Sequence, residues 1–182
     1  MPLATISAFL WRVARVQQQI AGGQQDLMLK PIPGGGGIHE LEWYLAADAI
    51  ESLPVGLFHY NGFEHALYRL PSSEVAVGAI RERAAISAGQ AGKVPAIVIV
   101  LASRLPRLAW KYQGIAYRIT LMNAGVAVEA MYLAATDMGL AGSALGTGEQ
   151  LPFERATGLS SWEETPVAEF ALSLPNAPAP PV

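Results

Sequence analysis

Apolar residues change period several times along the chain, and each change marks an element. From Thr5 to Ile20, the residues Ile6, Phe9, Leu10, Val13, Val16 and Ile20 recur at helical spacing, with Arg12, Arg15 and Gln19 on another face. This predicts an amphipathic helix ended by Gly22-Gly23. Lys30-Pro31-Ile32-Pro33 followed by Gly34 to Gly37 reads as a loop, and Leu41 to Ala46 as a strand. The runs at 56–60 and 65–70 flank Asn61-Gly62, a strong hairpin signal. Glu74 to Gly89 is a predicted helix. Val94 to Leu101 is a continuous β-branched run, as expected of a central strand buried on both faces. Tyr117 to Leu140 is the longest helical stretch, apolar nearly all round apart from a stripe with Arg118, Gly125, Glu129 and Thr136. Such a helix is buried or lies at a subunit interface. Ala168 to Leu174 reads as the last strand, and the Pro-rich tail 176–182 as disordered. With no internal repeat or linker, the expectation is one α+β domain over residues 1–175.

Composition sharpens this. Hydrophobic residues make up 52% of the 182 and charged residues 15%, against about 45–50% and 25% in an ordinary domain. Either a large buried core or a subunit interface that buries further surface would account for the excess; the second is favoured, so a homodimer is expected. The longest strongly apolar run, Val94 to Ala102, is too short for a bilayer, which takes roughly 20 residues. Arg12 and Arg15 sit where a signal peptide would be apolar. No membrane association is expected, and a cytoplasmic location is the default. There are no cysteines, hence no disulfide and no thiolate chemistry. The net charge of −3 leaves no basic footprint for nucleic acid.

Candidate chemistry is sparse. Gly34-Gly35-Gly36-Gly37 is neither a Walker loop nor a dinucleotide fingerprint, since it precedes a strand rather than opening a helix. Such glycines let backbone approach a flat ligand, yet glycines more often serve turns. Lys111-Tyr112 follows a loop containing Pro106; the pair has the makings of a general base, though most lysines are simply solvated. Asn123, in the apolar part of the long helix, needs a partner: a ligand, a facing helix or nearby backbone. His39, His59 and His65 show no metal spacing and read as structural or surface residues; no metal site is expected.

Taken in order, these segments resemble the SagB-type dehydrogenases of the nitroreductase superfamily. Pro33-Gly34-Gly35-Gly36-Gly37-Ile38-His39-Glu40-Leu41-Glu42 is similar to their Pro-Ser-Gly-Gly-Ala-x-His-x-Leu-Glu segment. Gly56-Leu57-Phe58-His59-Tyr60 with His65-Ala66-Leu67 resembles their hairpin. Lys111 to Arg118, Leu121 to Gly125, Ala134 to Leu140 and Ala144-Leu145-Gly146 resemble the central signature, and Glu164 to Phe170 the closing strand.

The resemblance implies a nitroreductase-like α+β fold, with a mixed sheet flanked by helices and FMN at the interface of a homodimer. It implies a flavoprotein that oxidises peptide azolines to azoles, beside a cyclodehydratase that makes the ring. Lys111 and Tyr112 would be catalytic. Gly34, Gly35, Gly36, Gly37, Asn123, Ala144, Leu145 and Gly146 would line the cofactor. The chain begins after the point where family members carry an Arg-Ser-x-Arg-like segment for the flavin phosphate, as a chain lacking its N-terminal part would. Arg12 and Arg15, or Arg118, are the expected substitutes. A nitro or quinone reductase of the same fold, and a flavin-free scaffold subunit, are the alternatives.

Overall fold

A computed structural model describes residues 1–146 and 149–175. Its elements are α1 (Leu3–Val13), β1 (Gln18–Ile20), β2 (Leu27–Leu29), β3 (Leu41–Ala47), β4 (Gly56–Asn61), β5 (Ala66–Arg69), α2 (Glu74–Ser87), β6 (Ile97–Ser103), α3 (Leu105–Tyr112), α4 (Ala116–Asp137), β7 (Ala141–Leu145), α5 (Gln150–Thr157) and β8 (Thr165–Ser173). Six strands form one sheet in the order β5-β4-β3-β6-β8-β7, and β1-β2 form a separate hairpin. All five pairings in the large sheet are antiparallel. The α+β class stands, but the expected mixed sheet is corrected: each strand enters beside a neighbour running the other way.

Strand β6 shows why its sequence is apolar without alternation. All seven of its residues are buried, because both faces of the sheet are covered. Ile97, Ile99 and Leu101 join Trp43, Leu45, Phe170 and Leu172 beneath α1 and α4. Val98, Val100 and Ala102 face the other way, with Tyr44, Ala46, Val77, Ile80 and Phe153, beneath α2 and α5. Each such large side chain contributes about 1.5–3 kcal/mol by leaving water.

Helix α4 lies on the sheet through Ala124, Ala127, Ala134 and Ala135, with Met131 among them. These small residues let the helix approach the strands closely. Its other face leaves Tyr117, Leu121, Met122, Val126 and Leu133 in solvent, with Met122 64% exposed. The α3–α4 stretch is long and apolar enough to cross a membrane, yet one side of it is core.

Two expectations about the N-terminal region are corrected. The helix ends at Val13 rather than continuing to Ile20. Val16 N–H donates to Gly62 O and Gln17 N–H to Leu29 O, so tertiary partners take these N–H groups from the helix and the chain runs on into β1 despite its helical spacing. Gly22-Gly23 therefore lies in the β1–β2 connection and does not stop a helix. At the second hairpin Asn61 pairs with Ala66. The turn is the longer 62–65, in which Asn61 Oδ1 accepts the Phe63 N–H at 2.9 Å. The tail 176–182 lies outside the described residues.

Candidate functional site

The glycine run is a turn of 3₁₀ helix over Gly35–Gly37, entered from extended Gly34. Gly36 (φ 58°) and Gly37 (φ 75°) occupy the left-handed region, where a side chain is strained. The loop also sits tightly on α3. A Cβ at Gly35 would stand 2.6 Å from a Leu108 methyl, and one at Gly36 would stand 2.6 Å from Tyr112 Oη and 2.8 Å from Lys111 Nζ. Thus the two polar tips singled out by resemblance converge on one glycine, some 75 positions away in the chain. Both residues belong to the last turn of α3, not to a loop. Pro106 is accommodated in the first turn of that helix, and Gln113 (φ 46°) ends it. The Lys111 ammonium also lies 5.4 Å from the Tyr112 ring centroid. At the carbonyl end of a helix, a lysine is favourable on electrostatic grounds alone.

The other expected site residues are dispersed. Arg12 is ion-paired with Asp137 on the surface. Arg15 stacks on Trp11, with its guanidinium carbon 4.6 Å from the ring centroid, and donates to Trp11 O at 2.5 Å. Asn123 Nδ2 donates to both oxygens of the buried Glu40, at 3.0 and 3.3 Å. Its amide is therefore engaged by a carboxylate, an alternative absent from the sequence reading. Ala144 and Leu145 lie at the end of edge strand β7 and Gly146 just beyond it, with two strands between β7 and β3. Within one chain they do not meet the glycine loop.

Sequence reasoning missed a polar cluster at the end of the sheet where β3 begins and β6 ends. Glu42 accepts from His59 Nε2 at 2.8 Å and pairs with Arg107 at 2.8 Å and Arg104 at 3.3 Å. Burial opposes its charge, but the His59 hydrogen bond and the two guanidinium groups prevail and bring its pKa down to about 2. Arg104 Nε also donates to Glu164, which accepts from Tyr44 Oη at 2.6 Å. His39 (φ 55°) donates from Nε2 to Met28 O at 3.0 Å. Burial, with the nearby Lys30 charge, lowers its pKa to about 4, so it is neutral at pH 7. His65 bridges Ser7 and Tyr60, at 2.8 Å each. All three histidines thus make internal hydrogen bonds. The signal for the cluster was alternation: Glu42 and His59 are polar interruptions in otherwise apolar strands.

With this geometry, the chain belongs to the nitroreductase family, whose pattern it matches over residues 1–172. That is a family of flavin-dependent oxidoreductases. Among solved structures it is similar to a protein of Anabaena variabilis described as a nitroreductase (TM-score 0.78, 20% identity, covering 93% of this chain and 34% of that one). It is likewise similar to a chain of the E. coli microcin synthetase McbBCD complex with truncated pro-MccB17 bound (TM-score 0.78, 18% identity, covering 97% and 65%). A third is a protein of Ralstonia eutropha, also described as a nitroreductase (TM-score 0.74, 18% identity, covering 97% and 75%). The chain thus spans about a third and about two thirds of the length of the first two. At these identities the likeness concerns the fold. No curated protein matches the chain.

The residues present fit a flavin in part. For its ring end, Lys111 Nζ and Tyr112 Oη would be the polar groups at hand, both lying against the Gly36 backbone, while Leu108 and Leu27 fill the space beside Gly35 and Gly37. A cavity of about 220 Å³ adjoins Lys111, bounded by Gly22, Gln25, Leu27 and Trp110. The phosphate end does not find Arg12 or Arg15, because both are engaged elsewhere. Arg118 is exposed on α4 and has no ion pair among the described residues.

Proposed function

We propose that this chain is an FMN-dependent dehydrogenase of SagB type, which oxidises azoline rings in a peptide to azoles and works as a homodimer. The observation that carries the reading is the convergence of Lys111 and Tyr112 on Gly36. Two hydrogens leave an azoline when it becomes an azole. Bound FMN supplies the hydride acceptor, with dioxygen as final oxidant. The other hydrogen leaves as a proton. Tyr112 would take it at Oη as the phenolate, whose negative charge the Lys111 ammonium stabilises until the proton neutralises it. The absence of a side chain at Gly36 is what lets both polar tips lie against the loop backbone.

The outer face of α4 supports the dimer: Tyr117, Leu121, Met122, Val126 and Leu133 are exposed on both sides of the polar stripe through Arg118 and Glu129, on a helix whose opposite face is core. Arg118 lies on the same face and is the arginine we assign to the phosphate. The likeness to a chain of the McbBCD complex supports work beside a cyclodehydratase on a peptide. A second reading, a flavin-free docking subunit, is favoured by the engagement of Arg12 and Arg15.

The visible spectrum of the purified protein separates the two readings. Flavin absorbance near one per chain supports the enzyme, and a colourless protein that gains no absorbance with added FMN supports the subunit. For the chemistry, Lys111→Ala and Tyr112→Phe should retain FMN and slow anaerobic reduction by an azoline peptide by about 10²- to 10⁴-fold. Unchanged rates in both variants would remove the pair from the mechanism.

A further inference from the structure

His65 links two hydroxyl groups through its two ring nitrogens. Ser7 Oγ lies 2.8 Å from Nε2, and Tyr60 Oη lies 2.8 Å from Nδ1. A hydroxyl nucleophile, a base and a third group that orients the base are thus in line. Burial pushes the Tyr60 phenol up to about 12, so it stays neutral at pH 7. When its oxygen accepts the Nδ1–H, the Nε2 lone pair faces the Ser7 hydroxyl. Packing fixes the imidazole as well: it stands edge-on to the rings of Trp11 and Tyr60, with centroids 5.0 and 5.7 Å away. His65 holds φ 51°, a conformation that hairpin turns ordinarily give to Gly or Asn. The three side chains are not sealed in the core. All of them line one cavity of about 250 Å³, whose other walls are Leu3, Leu10, Leu53 and Leu67. Leu3 also begins α1, and the N–H groups of Leu3 and Ala4 have no acceptor among the described residues. They precede Ser7 by one turn, on its own face of the helix.

We propose that Ser7, His65 and Tyr60 form a second reactive site, which hydrolyses esters of short apolar acyl groups. Ser7 Oγ attacks the ester carbonyl carbon while His65 Nε2 takes the hydroxyl proton. The bond to the alcohol oxygen then breaks, and the alcohol leaves with that proton. Water attacks the acyl-serine, gives a proton to His65 and releases the carboxylic acid, which restores Ser7. The Leu3 and Ala4 N–H groups are the open donors on that face for the oxyanion. The leucine walls suit an apolar acyl chain, and the volume lies below the roughly 300–1,000 Å³ of drug-sized ligand pockets, so the chain is short. A neutral phenol stabilises an imidazolium less than a carboxylate does. Turnover is therefore slow, and covalent capture of Ser7 is the sharper readout. The site does not depend on the oxidoreductase reading, since no residue of the glycine loop or of α3 lines this cavity.

The probe is diisopropyl fluorophosphate, incubated with the full chain at neutral pH and read by intact mass and peptide mapping. One adduct per chain is expected, on Ser7. p-Nitrophenyl butyrate should release p-nitrophenolate and, when present, slow the labelling. His65→Asn removes the base and keeps a residue that tolerates positive φ, so it should fold and label at least about 10²-fold more slowly. Absence of an adduct on Ser7 would overturn the proposal. So would adducts spread over several serines at similar rates, or an undiminished rate in a folded His65→Asn. Should that variant fail to fold, the wild-type map still decides: an adduct confined to Ser7 and suppressed by the ester supports the site, and labelling that the ester leaves unchanged overturns it.

Discussion

Replacing Gly36 by alanine separates two roles of the glycine loop that one mutation at an arbitrary glycine would confound. Gly36 and Gly37 both have positive φ, at 58° and 75°. Alanine at either position has to hold a left-handed conformation at a cost of about 1–2 kcal/mol. The surroundings differ. A Cβ at Gly37 meets Leu27 Cβ at 3.3 Å and Met28 O at 3.6 Å, close to ordinary contact. A Cβ at Gly36 meets Tyr112 Oη at 2.6 Å and Lys111 Nζ at 2.8 Å. Optimal separation is about 3.5–4.0 Å, so both tips must retreat by roughly 1 Å. They are the free ends of flexible side chains and can do so without moving α3. Denaturant unfolding should therefore show Gly36→Ala and Gly37→Ala losing similar stability. Anaerobic reduction should separate them: a misplacement of about 1 Å at the reacting groups costs on the order of 10²-fold, and only Gly36→Ala carries it. Equal reduction rates in the two variants would show that the tips at Gly36 are not at the reacting atoms. Wild-type stability in both would refute the strain argument.

Glu169, on β8 between Val100 and Leu145, is buried with Oε2 unpartnered; burial foremost, with the Glu149 charge adding to it, raises its pKa from 4.5 to about 7. Stability from its protonated form is full below pH 4.5 and lost as pH rises through 7, so urea unfolding at pH 5 and pH 8 should show a loss of up to about 3 kcal/mol that Glu169→Gln removes. A pH dependence unchanged in that variant would place the titrating group elsewhere. On the outer face of α4, Met122→Glu and Leu133→Arg together should convert a dimer of twice the chain mass into a monomer by light scattering, and a wild-type monomer would refute the interface.

Elements whose burial follows from local pattern were legible. Strand β6 is buried on both faces and carries no alternation, and α2 begins at a capping serine, Ser73, whose side chain accepts from Ala76 N–H at 3.2 Å. What could not be read depends on partners distant in sequence. Residues 16–20 have helical spacing, but Gly62 O and Leu29 O take their N–H groups. Helix α3 contains Pro106 and looked like a loop, since a proline at the start of a short helix resembles one that breaks a chain. Strand β7 is an edge strand with little burial, so it carries no apolar signal.

The candidate site shows the same division more sharply. Lys111 and Tyr112 drew notice as an adjacent pair able to act as a base, but only the family resemblance set them above a solvated lysine beside a packed tyrosine. Their meeting with Gly36 is made by tertiary packing: α3 follows β6, the glycine turn leads into β3, and β3 and β6 are neighbours in register from Leu41–Ser103 to Ala47–Ile97. That pairing fixes both approaches at one end of the sheet. The Glu42 cluster is built by the same pairing, since Glu42 stands beside Ala102, one step from the turn that carries Arg104 and Arg107. A carboxylate in an apolar strand signals that cations must be near, but only the strand order says which ones. Lys30 was passed over as the first residue of a loop. The residues before it form the β1–β2 hairpin, which packs beside the glycine turn, and that hairpin replaces the end of the helix that local periodicity had favoured.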